Sequence, residues 1–213
     1  VFDIVQNQGN AALTPIKDVV VESLRHIQEV AKAGSLVTGV PSGFTDLDAK
    51  TAGFQPSDLI LVAARPSMGK TALVLNIAEH ACFRADKTCM IFSLEMSKEQ
   101  LVNRLLAMES RVDSSHIRSG DLSDDEWKYI IESAGTVGKS NLVIDDTPGI
   151  TVAEMRSKCR RYKLEHGLDM IIIDYLQLMS GSRGGRSDAS RQQEISDISM
   201  ALKALARELK VPV

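Results

Sequence analysis

"AARPSMGKTAL", residues 63–73, decides how the rest of the chain is read. An apolar run, "DLILVAA" (58–64), leads into it, and the periodicity of a helix from about Lys70 to Ala85 follows. A strand, a short loop with Gly69-Lys70-Thr71 and a helix, in that order, form the context in which a phosphate loop has meaning. Triphosphate is a dense negative charge, and a helix N-terminus offers it unpaired N–H groups and a positive dipole end. Gly69 lets backbone approach the phosphates with no Cβ in the way. Lys70 can reach the β and γ oxygens, and the Thr71 hydroxyl can ligate Mg²⁺. Arg65, Ser67, Met68 and Ala72 complete the expected cradle. The usual G-x-x-x-x-G-K-[ST] pattern has glycine where this chain has Ala64. Ala64 stands at the loop's entrance, so the turn there is expected to run at negative φ, stiffened by Pro66. A chance Gly-Lys-Thr at a helix start is the competing reading, and a second element weighs against it.

That element is "MIIIDY" (170–175), in which apolar residues run to Asp174 at the carboxyl end of a buried strand. Ligands of doubly wound sheets bind at that edge. Asp174 there would hold Mg²⁺ through a water, and a metal would give a buried carboxylate the partner it needs. A capping or salt-bridged Asp is the plain alternative. "MIFSLE" (90–95) ends in Glu95 at the same edge, where a carboxylate can polarise an attacking water. Taken alone, a glutamate after a strand is better read as half of an ion pair, and spacing does not separate the two.

Further out, strand and helix alternate. "TCMIFSLE" (88–95), "NLVID" (141–145) and "DMIIIDYLQL" (169–178) read as strands beside "DLILVAA". Ser97 with Gln100, Ser123 with Glu126 and Thr151 with Glu154 have capping-box spacing ahead of three helices. Gly167 ends the third of these. Ile195, Ile198, Leu202, Leu205 and Leu209 place one apolar stripe on a last helix. The fold class is α/β, with a mainly parallel central sheet flanked by helices. Upstream, "TPIKDVVVESLRHIQEVAKAG" (14–34) reads as a helix capped by Thr14, with Pro15 in its first position and Gly34 at its end. Its stripe of Ile16, Val20, Leu24, Ile27 and Ala31 packs either on its own domain or on a neighbouring subunit. "GSLVTGVPSG" (34–43) reads as a linker. The division expected is an N-terminal segment and helix over 1–34 and an ATPase-type domain over 35–213.

Composition sets bounds. Of 213 residues, 44% are hydrophobic and 25% charged, near the soluble globular average, and the net charge of −3 supplies no global basic field for nucleic acid. Cys82, Cys89 and Cys159 make no C-x-x-C and read as reduced thiols of a cytosolic protein. No run approaches a membrane span, and "VFDIVQNQGN" is not a signal peptide. The chain lacks an initiator Met and stops at "ELKVPV", where an apolar strand begins, so it is expected to be a fragment, poorly stable and nearly inactive alone. Arg183 and Arg186 lie in the Gly/Ser-rich stretch 179–190, either as free surface or as a loop touching DNA phosphates. Arg156, Lys158, Arg160, Arg161 and Lys163 read more readily as a solvated helix face than as a DNA site. The four histidines lack metal-ligand spacing, and Trp127 with the few other aromatics makes no base-stacking platform. Asp145 and Asp146 either line the nucleotide edge or form a turn.

Together "TGVPSGFTDLDAKTAGFQPSDLILVAARPSMGKTA", "IFSLEMSKEQL", "LVIDDTPGIT", "IIIDYLQLM" and "RQQEISDISMALKALARELKVPV" resemble the motor domain of bacterial replicative DNA helicases of the DnaB family. The resemblance runs from about Leu13 to Val213, and helicases of this kind also carry Ala-Arg-Pro-Ser in the loop. It implies a RecA-like P-loop fold and a ring homo-hexamer that hydrolyses ATP with Mg²⁺. Such a ring moves along single-stranded DNA and unwinds forked duplex in the cytoplasm, at the nucleoid. It implies Lys70 and Thr71 as phosphate and magnesium contacts, Asp174 as the Walker B acid and Glu95 as the residue that activates water. It makes residues 14–33 a linker helix docking on the adjacent motor domain. It implies primase and a helicase loader as partners through regions outside this chain. It also implies that the strand continuing from Val213 lies between the phosphate-loop strand and the Walker B strand. A different RecA-like ATPase, of recombinase or circadian-clock type, and an inactive nucleotide-binding scaffold are the alternatives.

Overall fold

The computed structural model describes residues 14–34, 36–65, 67–179 and 188–213. At its centre three parallel strands, β1 (Cys89–Ser93), β2 (Leu142–Asp145) and β3 (Met170–Asp174), lie in the order β2-β1-β3. Phe92 pairs with Asp145 on one side and Ser93 with Asp174 on the other, so the carboxyl ends of all three strands finish at one edge. Every residue of β1 is buried, which is what an uninterrupted apolar run requires of a central strand covered on both faces. Successive side chains alternate between those faces. Met90 and Phe92 pack with Met155, Leu202 and Leu205, whereas Ile91 packs with Leu75, Leu101 and Leu105 on the opposite side.

Eight helices accompany the sheet among the described residues: α1 (Ile16–Ala33), α2 (Thr45–Thr51), α3 (Lys70–Glu79), α4 (Lys98–Ser110), α5 (Ser114–Ser119), α6 (Asp124–Lys139), α7 (Val152–His166) and α8 (Asp188–Leu209). All three capping boxes form, at the starts of α4, α6 and α7. In each, the Ser or Thr hydroxyl accepts an N–H of the first turn and the Gln or Glu side chain accepts the cap's own N–H. On α8, Ile198, Leu202, Leu205 and Leu209 are buried as the sequence stripe requires. Three cations of α7 reach α8: Arg156 and Arg160, each about half exposed, pair with Glu208, and Lys163 donates to the Leu209 carbonyl. They are cross-braces to α8.

Four expectations change. Pro15, with ψ 136, is the N-cap of α1 in place of Thr14, and no side chain caps it. The helix after the loop does not run α-helical to Ala85. From His80 to Arg84 it widens into a π-helical turn, closed by the Ala85 N–H on the His80 carbonyl. Residues 37–43 are not a loose linker: Val40 bridges Phe54, and Asp48 accepts the N–H groups of Ser42 and Gly43. Val40, Ser42 and Asp48 are buried, so 37–54 closes on itself and on the domain.

The fourth change concerns "DLILVAA", which forms no strand. Its ladder consists of the Ile60 N–H on the Val213 carbonyl, 2.8 Å, and the Val213 N–H on the Asp58 carbonyl, 2.9 Å. A strand is a relation between neighbours, and Leu61–Ala64 have no hydrogen-bonded neighbour among the described residues. Leu61 is accordingly 68% exposed. Between this segment and β3 lies an apolar slot of about 370 Å³, with Leu59–Val62 on one wall and Ile171 and Ile173 on the other. Pro212 enters one end of it, its carbonyl accepting the Ile171 N–H at 3.0 Å.

Candidate nucleotide-binding site

The loop between that segment and α3 turns on two residues at positive φ, Ser67 (63°) and Gly69 (87°). Ala64 is not one of them. The chain therefore tolerates alanine at the loop's entrance and requires glycine nearer the helix, where a side chain would be strained. Gly69 caps α3, and its carbonyl accepts the Leu73 N–H at 2.9 Å. A Cβ on Gly69 would meet nothing within 4 Å, so the space over the helix N-terminus is open to a ligand. Arg65, Ser67, Met68 and Ala72 are exposed around it.

Below the loop, Lys70, Thr71 and Asp174 converge. The Thr71 hydroxyl donates to Asp174 Oδ2 at 2.5 Å across 103 residues of sequence. Lys70 Nζ lies 3.1 Å from Asp174 Oδ1 and 4.0 Å from the centre of the Tyr175 ring. Asp174 is only 4% exposed, and its Oδ1 lacks a hydrogen bond of good geometry within the described structure, although the Lys70 ammonium is near. Lys70 and Thr71 partner the buried carboxylate here, the salt-bridged arrangement weighed above, and a move of Lys70 onto a ligand would free Oδ1 of that carboxylate. The oxygen so freed fits a water-bridged cation. Among the described residues no cluster of three or more His, Cys, Asp or Glu could cage a metal. That donor set suits Mg²⁺, which keeps several waters and takes one or two protein oxygens plus phosphate.

Glu95 follows β1 by two residues, at the edge where Ser93 faces Asp174. The Leu94 N–H donates to the Asp174 carbonyl at 2.7 Å, which ties this turn to the end of β3. The Glu95 carboxylate is exposed and has no ion-pair partner among the described residues, so the structural ion pair weighed above does not form. Asp145 and Asp146 divide their work. Burial opposes ionisation of Asp145, but Lys158 at 2.5 Å and the Thr147 N–H at 3.0 Å outweigh it and hold its carboxyl below the usual range. Asp146 instead accepts the N–H of Lys98, 48 residues earlier in the chain. Arg183 and Arg186 lie outside the described residues.

A phosphate-type loop opening a helix, with an acid at the end of a neighbouring strand, defines a nucleotide-binding domain of the RecA-like P-loop class. Comparison with known proteins narrows this. Residues 39–213 match the model of the DnaB-like helicase C-terminal domain. The chain is 49% identical over all of its length to the replicative DNA helicase DnaC of Bacillus subtilis (strain 168), and 48% to the replicative DNA helicase DnaB of Geobacillus stearothermophilus. Each alignment covers 46% of the relative, so the chain spans about half the length of the curated relatives it matches. One solved ATPase domain superposes with a TM-score of 0.86 at 35% identity, over 95% of this chain and 70% of that one. A DnaB-like replicative helicase, solved in a study of its interactions with primase, gives 0.82 at 34% identity, over 100% of this chain and 50% of that one. The chain belongs to the DnaB-like helicase C-terminal domain family.

Proposed function

We propose that this domain is the ATP-hydrolysing motor of a replicative DNA helicase. The motor works as a ring homo-hexamer that translocates on single-stranded DNA and opens forked duplex at the nucleoid. Primase and a loader engage it through parts of the protein outside this chain. The observation that carries the reading is the convergence of Lys70, Thr71 and Asp174 beneath an open, glycine-shaped helix N-terminus.

The chemistry follows from the placement of these groups. The N–H groups that open α3 point toward the open space at Gly69 and donate to phosphate oxygens. Lys70, held by Asp174 here, exchanges that carboxylate for the β and γ oxygens. Thr71 directly, and Asp174 through a water, would hold Mg²⁺. Mg²⁺ held there would supply positive charge to offset the negative charge that develops during phosphoryl transfer. Glu95, exposed at the same edge and without an ion-pair partner among the described residues, orients the attacking water and takes its proton.

The test uses the full-length protein. ATP turnover with and without single-stranded DNA is compared for wild type and Glu95→Ala, with mass measured at the same concentration. DNA-stimulated turnover by a hexamer, lost in Glu95→Ala while ATP still binds, is expected. Turnover indifferent to DNA overturns the helicase reading, and normal turnover in Glu95→Ala overturns the role of Glu95.

A further inference from the structure

The turn that carries Glu95 is held by one bond within it and, on each flank, by a group outside it. At its start, the buried Ser93 hydroxyl donates to the Met96 carbonyl at 2.7 Å, and Leu94 is tied to the end of β3. At its end, Asp146 Oδ2, from the segment after β2, accepts the Lys98 N–H at 3.1 Å, with Lys98 Nζ 3.9 Å from Oδ1. Lys98 is the first residue of α4 and stands three positions past Glu95. The Glu95 side chain has no partner among the described residues, so the backbone at 93–98 sets where its Cβ stands and from which point the carboxylate reaches out.

Asp146 is not required for α4 to form. Ser97 and Gln100 already close a capping box there, and together they satisfy the cap and third-residue N–H groups. The additional charge-assisted bond joins the start of α4 to the neighbouring strand. We propose that Asp146 is a positioning residue for Glu95, holding the turn so that the carboxylate meets the attacking water. The inference rests on the catalytic reading of Glu95, and it explains why the vicinal aspartates are not equivalent: Asp145 braces α7, and Asp146 holds the catalytic turn.

The experiment is DNA-stimulated steady-state ATP hydrolysis by the full-length protein, with the affinity of a fluorescent ATP analogue and a thermal melt for each variant. Asp146→Ala is expected to lower kcat roughly ten- to hundredfold, the range of a small misplacement of a reacting group, while KM and analogue affinity stay within about twofold. Asp146→Asn keeps an acceptor for the Lys98 N–H and retains most turnover. Lys98→Pro deletes the same bond from the donor side at a first helical position that suits proline, and it reproduces the loss even if Asp146→Ala folds poorly. Added to Glu95→Ala, Asp146→Ala lowers turnover no further, because it acts through Glu95. Wild-type kcat in Lys98→Pro or Asp146→Ala overturns the proposal, as does a multiplicative loss in the double variant. Normal turnover in Glu95→Ala removes the reading of Glu95 itself. Loss in Glu95→Ala with none in the Asp146 and Lys98 variants removes only the positioning role.

Discussion

Two glycines show how differently one added methyl acts. At Gly69 the cost is conformational and functional, because φ is 87° and the Cβ would point into open space. Gly69→Ala strains the backbone by about 1–2 kcal/mol and puts a methyl where a phosphate oxygen approaches. The affinity of a fluorescent ATP analogue is expected to fall at least about tenfold, a loss of about 1.4 kcal/mol or more. Unchanged binding would show that phosphate does not sit against Gly69. At Gly39 the cost is collision, since a Cβ would lie 2.3 Å from the Phe54 carbonyl oxygen and 2.9 Å from Gln55 Nε2. Gly39→Ala must push the Val40–Phe54 bridge apart, and chemical denaturation should register a loss of about 1–3 kcal/mol with analogue affinity retained. Gly69 could be singled out in the sequence because Gly-Lys-Thr between an apolar run and a helix is a local pattern. Gly39 could not, because its constraint comes from the carbonyl of Phe54, outside any local motif. Asp146 was legible only as one of two aspartates at a strand end, since its partner Lys98 is distant in sequence.

Elements were legible to the extent that they are local. A capping box closes within a single turn, so all three could be placed from spacing alone. "DLILVAA" has the composition of a buried strand yet makes no ladder beyond Ile60 among the described residues, because a ladder depends on a neighbour that composition does not specify. The small unit of residues 37–54 escaped notice for the same reason, its closure resting on Asp48 and on the Val40–Phe54 bridge. Between α5 and α6 a contact makes a pH-dependent prediction. His116 Nδ1 lies 2.7 Å from Glu126 Oε1. That bond raises the His116 pKa, while the Ser123 N–H and then His116 lower Glu126 to about 2. A raised histidine stabilises fully below its unfolded value of 6.5 and loses this as pH rises through the folded value. A depressed carboxylate stabilises above its unfolded value of 4.5 and loses this as pH falls toward about 2. The contact therefore contributes most between pH 4.5 and 6.5. Glu126→Gln keeps a residue that serves a capping box but removes the charge. The NMR titration of His116 should then move down toward its ordinary value, and an unmoved titration would assign the shift to another source.

At the scale of the molecule, α1 is the element whose composition and surroundings conflict. Ile16, Val20, Leu24 and Ile27 form one face of the helix and are 77%, 47%, 55% and 58% exposed. The reading in which this stripe packs on its own domain is therefore not the one the structure adopts. A contiguous apolar face open to water marks an association site, and in a homo-oligomer a patch that meets a different surface of the next copy generates a ring when the rotation closes. The proposed hexamer gives α1 that partner. Replacing Leu24 and Ile27 together by Asp changes side chains already in water, so the melt of the domain should shift by no more than about 0.5 kcal/mol. The same charges would be buried without partners at a subunit contact, which is strongly unfavourable. In the full-length protein the double variant should sediment as smaller species and lose DNA-stimulated turnover, while each subunit still binds the ATP analogue through Lys70 and Thr71. A hexamer of undiminished mass from Leu24→Asp with Ile27→Asp would place the subunit contact elsewhere and leave the apolar stripe of α1 to some other surface.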